Sequence, residues 1–125
     1  MLTRILTVAL LIGGGLAAQD KVGAGTYKGT WAGASSGGDF HLTIKPGAAS
    51  ADVGFTIEGQ EVPCKVISFK ADGAKLEMTY EFDLQGNKLQ SAIKGTLKGK
   101  ALEGTYHTTA GDSPVDEGSW KTTAQ

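Results

Sequence analysis

Lys75-Leu76-Glu77-Met78-Thr79-Tyr80-Glu81-Phe82-Asp83-Leu84 alternates polar and large apolar side chains over its whole length. Successive side chains of an extended strand point to opposite faces, so Leu76, Met78, Tyr80, Phe82 and Leu84 share one face and the acids take the other. Gln85-Gly86-Asn87 then supplies turn residues. Beyond it Leu89, Ile93 and Leu97 fall on one parity and Lys88, Lys94 and Lys98 on the other. The segment reads as an antiparallel hairpin with one apolar and one wet face.

The same period of two extends outward in both directions. Phe40, Leu42 and Ile44 alternate with polar residues, as do Val53, Phe55 and Ile57. In 62–69 the apolar parity switches from Val62, Cys64 and Val66 to Ile67 and Phe69, which predicts a bulge at Val66-Ile67, with Pro63 near the strand start. Turn residues recur at short spacing, including Ser35-Ser36-Gly37-Gly38, Pro46-Gly47, Glu58-Gly59-Gln60 and Ala71-Asp72-Gly73. They divide the chain into eight strands, at about 26–33, 39–45, 52–58, 62–70, 75–84, 88–97, 101–109 and 117–123. The expected fold class is all-β: a single eight-stranded antiparallel up-and-down meander closed as a small barrel. Closure is expected because 117–123 carries one lysine and little other protection for an exposed edge.

Five triplets of Gly, Thr or Ser, and a large apolar residue start at Gly25, Gly29, Gly95, Gly104 and Gly118. All lie near the two ends of the domain, so pairing of first and last strands gathers them, with aromatics covering the glycines. The inward set by parity comprises Tyr27, Trp31, Phe40, Leu42, Ile44, Val53, Phe55, Ile57, Leu76, Met78, Tyr80, Phe82, Leu89, Ile93, Leu97, Leu102, Tyr106 and Trp120.

Residues 1–18 have the three-part pattern of a signal peptide: Arg4, an apolar run from Ile5, and small residues through Ala17-Ala18. The run of about 14 residues is short for a membrane span, which needs roughly 20. Residues 19–125 are then one secreted or periplasmic domain, with no membrane role after cleavage. Arg4 is the only arginine; eleven lysines face thirteen acids in the rest of the chain. That balance gives no electrostatic case for nucleic acid. Cys64 is the single cysteine, so no intrachain disulfide forms, and its apolar strand predicts a buried, unreactive thiol.

No constellation of residues signals catalysis, a cofactor or a metal. His41 and His107 take outward parity on strands that are not neighbours, and zinc needs more ligands than these. Glu77, Glu81 and Asp83 face Lys88, Lys94 and Lys98 across the hairpin, which cross-strand charge pairing explains. The glycines sit in strands and hairpins rather than between a strand and a helix, so no phosphate loop is present. The stretch 110–117 reads as the longest connection, and its Asp112, Asp116 and Glu117 make it a candidate contact for a protein partner. Trp31, Tyr80, Tyr106 and Trp120 are the candidate binding residues for a small apolar molecule in the interior, since aromatics with a polar tip suit such a pocket.

Gly29-Thr30-Trp31 in the first strand, followed by a meander and preceded by a signal peptide, resembles the calycin group of barrels, the lipocalins and avidin-like proteins. The ending from Gly95 to Trp120 is similar to small secreted bacterial lipocalin-like barrels. The resemblance implies a non-enzymatic barrel with an interior ligand. An alternative of the same architecture is a filled barrel acting on a protein, as protease inhibitors of this shape do. The chain departs from lipocalins in having no arginine on the last strand, where Lys121 is the nearest substitute, and from avidin-like sites in having only two tryptophans.

Overall fold

The computed structural model describes residues 21–125. The expected signal peptide over 1–18 lies outside the described residues. Nine strands follow in order: β1 (Gly25–Ala32), β2 (Gly37–Ile44), β3 (Ala51–Ile57), β4 (Gln60–Pro63), β5 (Lys65–Asp72), β6 (Lys75–Leu84), β7 (Asn87–Lys98), β8 (Ala101–Ala110) and β9 (Ser113–Ala124). All belong to one antiparallel sheet in the order β4-β3-β2-β1-β9-β8-β7-β6-β5. Every connection but one joins neighbours. No helix among the described residues is long and apolar enough to cross a membrane.

The hairpin of β6 and β7 forms in the register that the alternation demands, with Tyr80 opposite Ser91 and Met78 opposite Ile93. Its turn residues Gln85 and Gly86 both have positive φ, 54° and 82°, the mirror-image turn whose twist matches that of the strands. Charges line its outer face as expected: Glu77 pairs with Lys94 in the ladder, and Lys88 Nζ lies 4.0 Å from Glu81 Oε1.

First and last strands do pair. Trp120 lies opposite Trp31 in the β9–β1 ladder, and Thr122 opposite Gly29. The sheet curls around a single apolar core, in which every residue expected to face inward is buried except the half-buried Ile57. Gly95 shows why a glycine stands among them. A Cβ there would sit 2.6 Å from Cζ2 of Trp120, so the missing side chain is the seat of the indole. On its other side the Trp120 ring tilts against Phe40 at 5.2 Å between centroids.

The sheet is an open half-barrel, not a closed eight-stranded barrel. The expected fourth strand is two pieces, β4 and β5, with Cys64 alone between them. Two strands joined by one residue cannot fold back as a hairpin, which takes a loop of about two residues or more. They run on in line and change partners instead. β4 pairs with the Gly54–Ile57 half of β3, and β5 pairs with Lys75–Glu81 of β6. Both sheet edges therefore fall at this seam. The expected bulge is present, as a register shift between Val66 and Ser68 that leaves Ile67 50% exposed. Pro63, Lys65, Lys70 and that bulge protect the two edges against adding further strands.

The stretch 110–117 is not a long connection. Only Gly111 and Asp112 form a turn, and β8 and β9 pair up to Ala110 and Ser113. The polar composition that read as a long loop belongs to a hairpin whose register shifts between Pro114 and Asp116. The bulge leaves Val115 unpaired and 51% exposed.

The two ends of the half-barrel differ. One carries the β1–β2, β3–β4, β6–β7 and β8–β9 turns. At the other, Val22 is 2% exposed, held by its backbone N–H donating to Gly73 O at 2.8 Å in the β5–β6 turn. The segment before β1 thus plugs that end.

Gly95→Val is expected to lower stability by about 1–3 kcal/mol through overpacking against Trp120. Ala92→Val on the outer face of the same strand should stay within about 0.5 kcal/mol. Urea unfolding of both variants reads the difference, and equal effects would contradict this seating of the indole.

Candidate functional site

Layers of inward side chains fill the plugged end, and the opposite end retains a cavity of about 330 Å³. All four residues selected from sequence, Trp31, Tyr80, Tyr106 and Trp120, line it. The walls between them are aromatic. Trp31 meets Phe55 and Tyr106 edge to face, with centroids 6.0 and 5.9 Å apart. Phe55 meets Phe82 at 4.9 Å in the same manner. Such contacts hold each ring by its neighbours and fix the shape of the space.

The two tryptophans have spent their polar atoms on the scaffold. Trp31 Nε1 donates to Thr56 O at 2.9 Å, and Trp120 Nε1 donates to Thr105 O at 3.1 Å. They offer a ligand surface and shape, with no donor left over.

Besides Ser35 and Ser36 of the β1–β2 connection and the Tyr106 hydroxyl, the polar groups of the cavity come from a single rung of the sheet. Tyr80 on β6 stands opposite Ser91 on β7, Ser91 opposite Thr108 on β8, and Thr108 opposite Asp116 on β9. All four line the cavity. Ser91 and Thr108, both buried, hydrogen-bond to each other through their hydroxyls. Asp116, half-buried at the bulge, accepts a hydrogen bond of 2.7 Å from the Tyr106 hydroxyl at Oδ2. Its Oδ1 lies 3.4 Å from the backbone N–H of Ala34, across the β1–β2 connection. Among the described residues, Asp116 is the only charged side chain of the lining.

Both tyrosine hydroxyls are held in the neutral form. Burial pushes Tyr80 above the ordinary tyrosine range; the nearby Cys64 adds to this and a hydrogen bond with Ser91 opposes it. Burial also raises Tyr106, reinforced by its hydrogen bond to Asp116 and by the charge of that carboxylate. A neutral phenol can donate a hydrogen bond at any physiological pH.

Ser91 and Thr108 escaped the sequence reading although their signal is present. Each lies at an inward position of its strand, two residues from Leu89 and Tyr106, and a polar residue facing a core is an informative exception. Asp116 could not be placed from sequence, because the bulge resets which face each following residue takes.

Outside the cavity the other candidates settle into scaffold roles. His41 Nε2 lies 2.9 Å from Glu61 Oε2, a pair that reaches over Gly54 and ties β2 to β4 across β3. His107 is exposed on β8, away from His41. No group of three or more potential metal ligands occurs among the described residues. Cys64 is half-buried, and its thiol lies 3.4 Å from Val62 O. Burial, with the Glu61 carboxylate adding to it, pushes this thiol up to about 12.

Comparison with protein-family models, curated proteins and solved structures finds no match to this chain.

Two measurements check that geometry. Thr108→Val should cost about 1–3 kcal/mol by removing the buried hydrogen bond between the Ser91 and Thr108 hydroxyls, whereas adding Ser91→Ala should recover part of that loss. Because the raised thiol stays protonated until far above neutrality, Cys64 should alkylate slowly at pH 8 in the folded protein and rapidly in urea. Equal rates would show an ordinary thiol.

Proposed function

We propose that this chain is an exported, non-enzymatic binding protein that carries a small, mostly apolar molecule inside its curled sheet, in the manner of small lipocalin-like barrels. One observation carries the reading: the aromatic cavity of about 330 Å³ at the end opposite Val22, with a few polar groups converging on it. Small-molecule sites have this make-up, and their volumes run from roughly 300 to 1,000 Å³. The ligand is accordingly compact. The aromatic rings supply most of the contact area, and Tyr80, Ser91 and Thr108 offer hydrogen bonds that fix its orientation. The cavity also speaks against the filled barrel that a purely protein-binding role would use. Export follows from Arg4, the apolar run from Ile5 and the small residues before Gln19. A secreted or periplasmic carrier suits such a chain.

Native mass spectrometry of residues 19–125, secreted from a bacterial host and purified without detergent, is the direct test. The expected result is a bound mass that leaves on denaturation, or uptake of the neutral fluorophore N-phenylnaphthylamine with one molecule per chain. Ser91→Leu combined with Thr108→Leu should fill the cavity and abolish uptake while circular dichroism remains that of a β-sheet. A chain that arrives empty and takes up neither the probe nor any member of a panel of apolar metabolites overturns the proposal.

A further inference from the structure

We infer that the molecule held in this cavity carries a protonated amine, seated at the Asp116 carboxylate, on a compact aromatic or aliphatic body. The inference rests on the cavity reading above and names the chemical class of its ligand. Its basis is the charge balance of the lining. Among the described residues Asp116 carries the only charge there, and no lysine or histidine contributes to the wall. A fatty acid or other carboxylate would bring a second negative charge beside Asp116 with no cation to compensate it. A neutral ligand would leave that carboxylate without a charged partner.

Asp116 is placed to receive a cation. The Tyr106 hydroxyl donates to Oδ2 and the Ala34 N–H approaches Oδ1, so the side chain is aimed before any ligand arrives. A carboxylate has about four lone-pair sites, and these contacts leave capacity for an ammonium group. The register shift between Pro114 and Asp116 places this carboxylate on the cavity wall, opposite Thr108 in the polar rung. Tyr106, which bonds this carboxylate, packs edge to face against Trp31, and both rings line the same cavity. Aromatic faces attract ammonium groups through their quadrupole, and an acid combined with such faces is a general solution for amines. The deeper hydroxyls of Ser91, Thr108 and Tyr80 are neutral. They suit a hydroxyl or carbonyl at the far end of the ligand and do not compete for its charge.

Three probes of nearly equal size separate the possibilities: phenylethylamine, phenylethanol and phenylpropanoate, each titrated against the tryptophan fluorescence of residues 19–125 and checked by calorimetry. The amine should bind about tenfold or more tightly than the alcohol, the scale of a hydrogen bond to a charged group, and the carboxylate should bind weakest. Asp116→Asn keeps an acceptor for Tyr106 and should bring the amine's affinity down to within about twofold of phenylethanol's. Asp116→Glu should restore part of the preference. Equal binding of amine and alcohol, or a preference that survives Asp116→Asn, overturns the amine inference and leaves the cavity reading standing. If none of the three binds, the amine inference falls, and the uptake assay with N-phenylnaphthylamine decides the cavity reading by itself.

Discussion

The ladder between β1 and β9 is the contact on which the rest of the structure depends. It sets Trp31 opposite Trp120 and converts a meander into a curled sheet with an inside. Without it, β1 to β4 and β5 to β9 would be two flat sheets, each with an apolar face open to water. With it, Trp120 reaches Phe40 on one side and the gap at Gly95 on the other, so both halves share one core. The glycine-rich triplets near both ends of the domain are the sequence counterpart of this constraint. Close packing of strands under large rings needs positions that carry no Cβ.

The cavity follows from how the two ends of the curl are treated. At one end Val22 and its bond to Gly73 plug the core. At the other, side chains that would have filled the space are replaced by a rung of hydroxyls and one carboxylate. A rung of leucines there would bury more apolar area and add stability, at roughly 25 cal/mol for each Å² removed from water. The chain instead keeps Ser91 and Thr108 bonded to each other, which satisfies their desolvated groups but leaves volume unoccupied. The rung of Tyr80, Ser91, Thr108 and Asp116 lies on four neighbouring strands, which holds its groups in fixed relation.

Much of this was legible in the sequence. Parity alone assigned the core, because each strand has one wet and one dry face and a slip of one residue would expose the apolar set. It also selected Trp31, Tyr80, Tyr106 and Trp120, all of which reach the cavity wall. The failures have local causes. Pro63 and the parity change after Val66 announced an irregular fourth strand but not its break at Cys64, because the break depends on which neighbour each half finds. Gly111, Asp112, Ser113 and Pro114 imitate a loop by composition, whereas only the first two turn and backbone pairing resumes at Ser113, with Pro114 accommodated opposite Thr109. Asp116 was visible as a surface acid and invisible as a wall residue, since a bulge is a property of two strands together.

The order of strands in the sheet inverts a usual relation between sequence and mobility. In most domains the terminal segments are the least tied down. Here the last strand, β9, stands at the centre of the nine, and Gln125 still donates its backbone N–H to Thr26 O at 2.9 Å. The unpaired edges belong to β4 and β5, midway along the chain. Local opening starts where backbone bonds and buried contacts are fewest. The earliest backbone to exchange its amide hydrogens is therefore interior sequence around Cys64, and the wall of the curl loosens sideways along its seam while β1 and β9 remain zipped together.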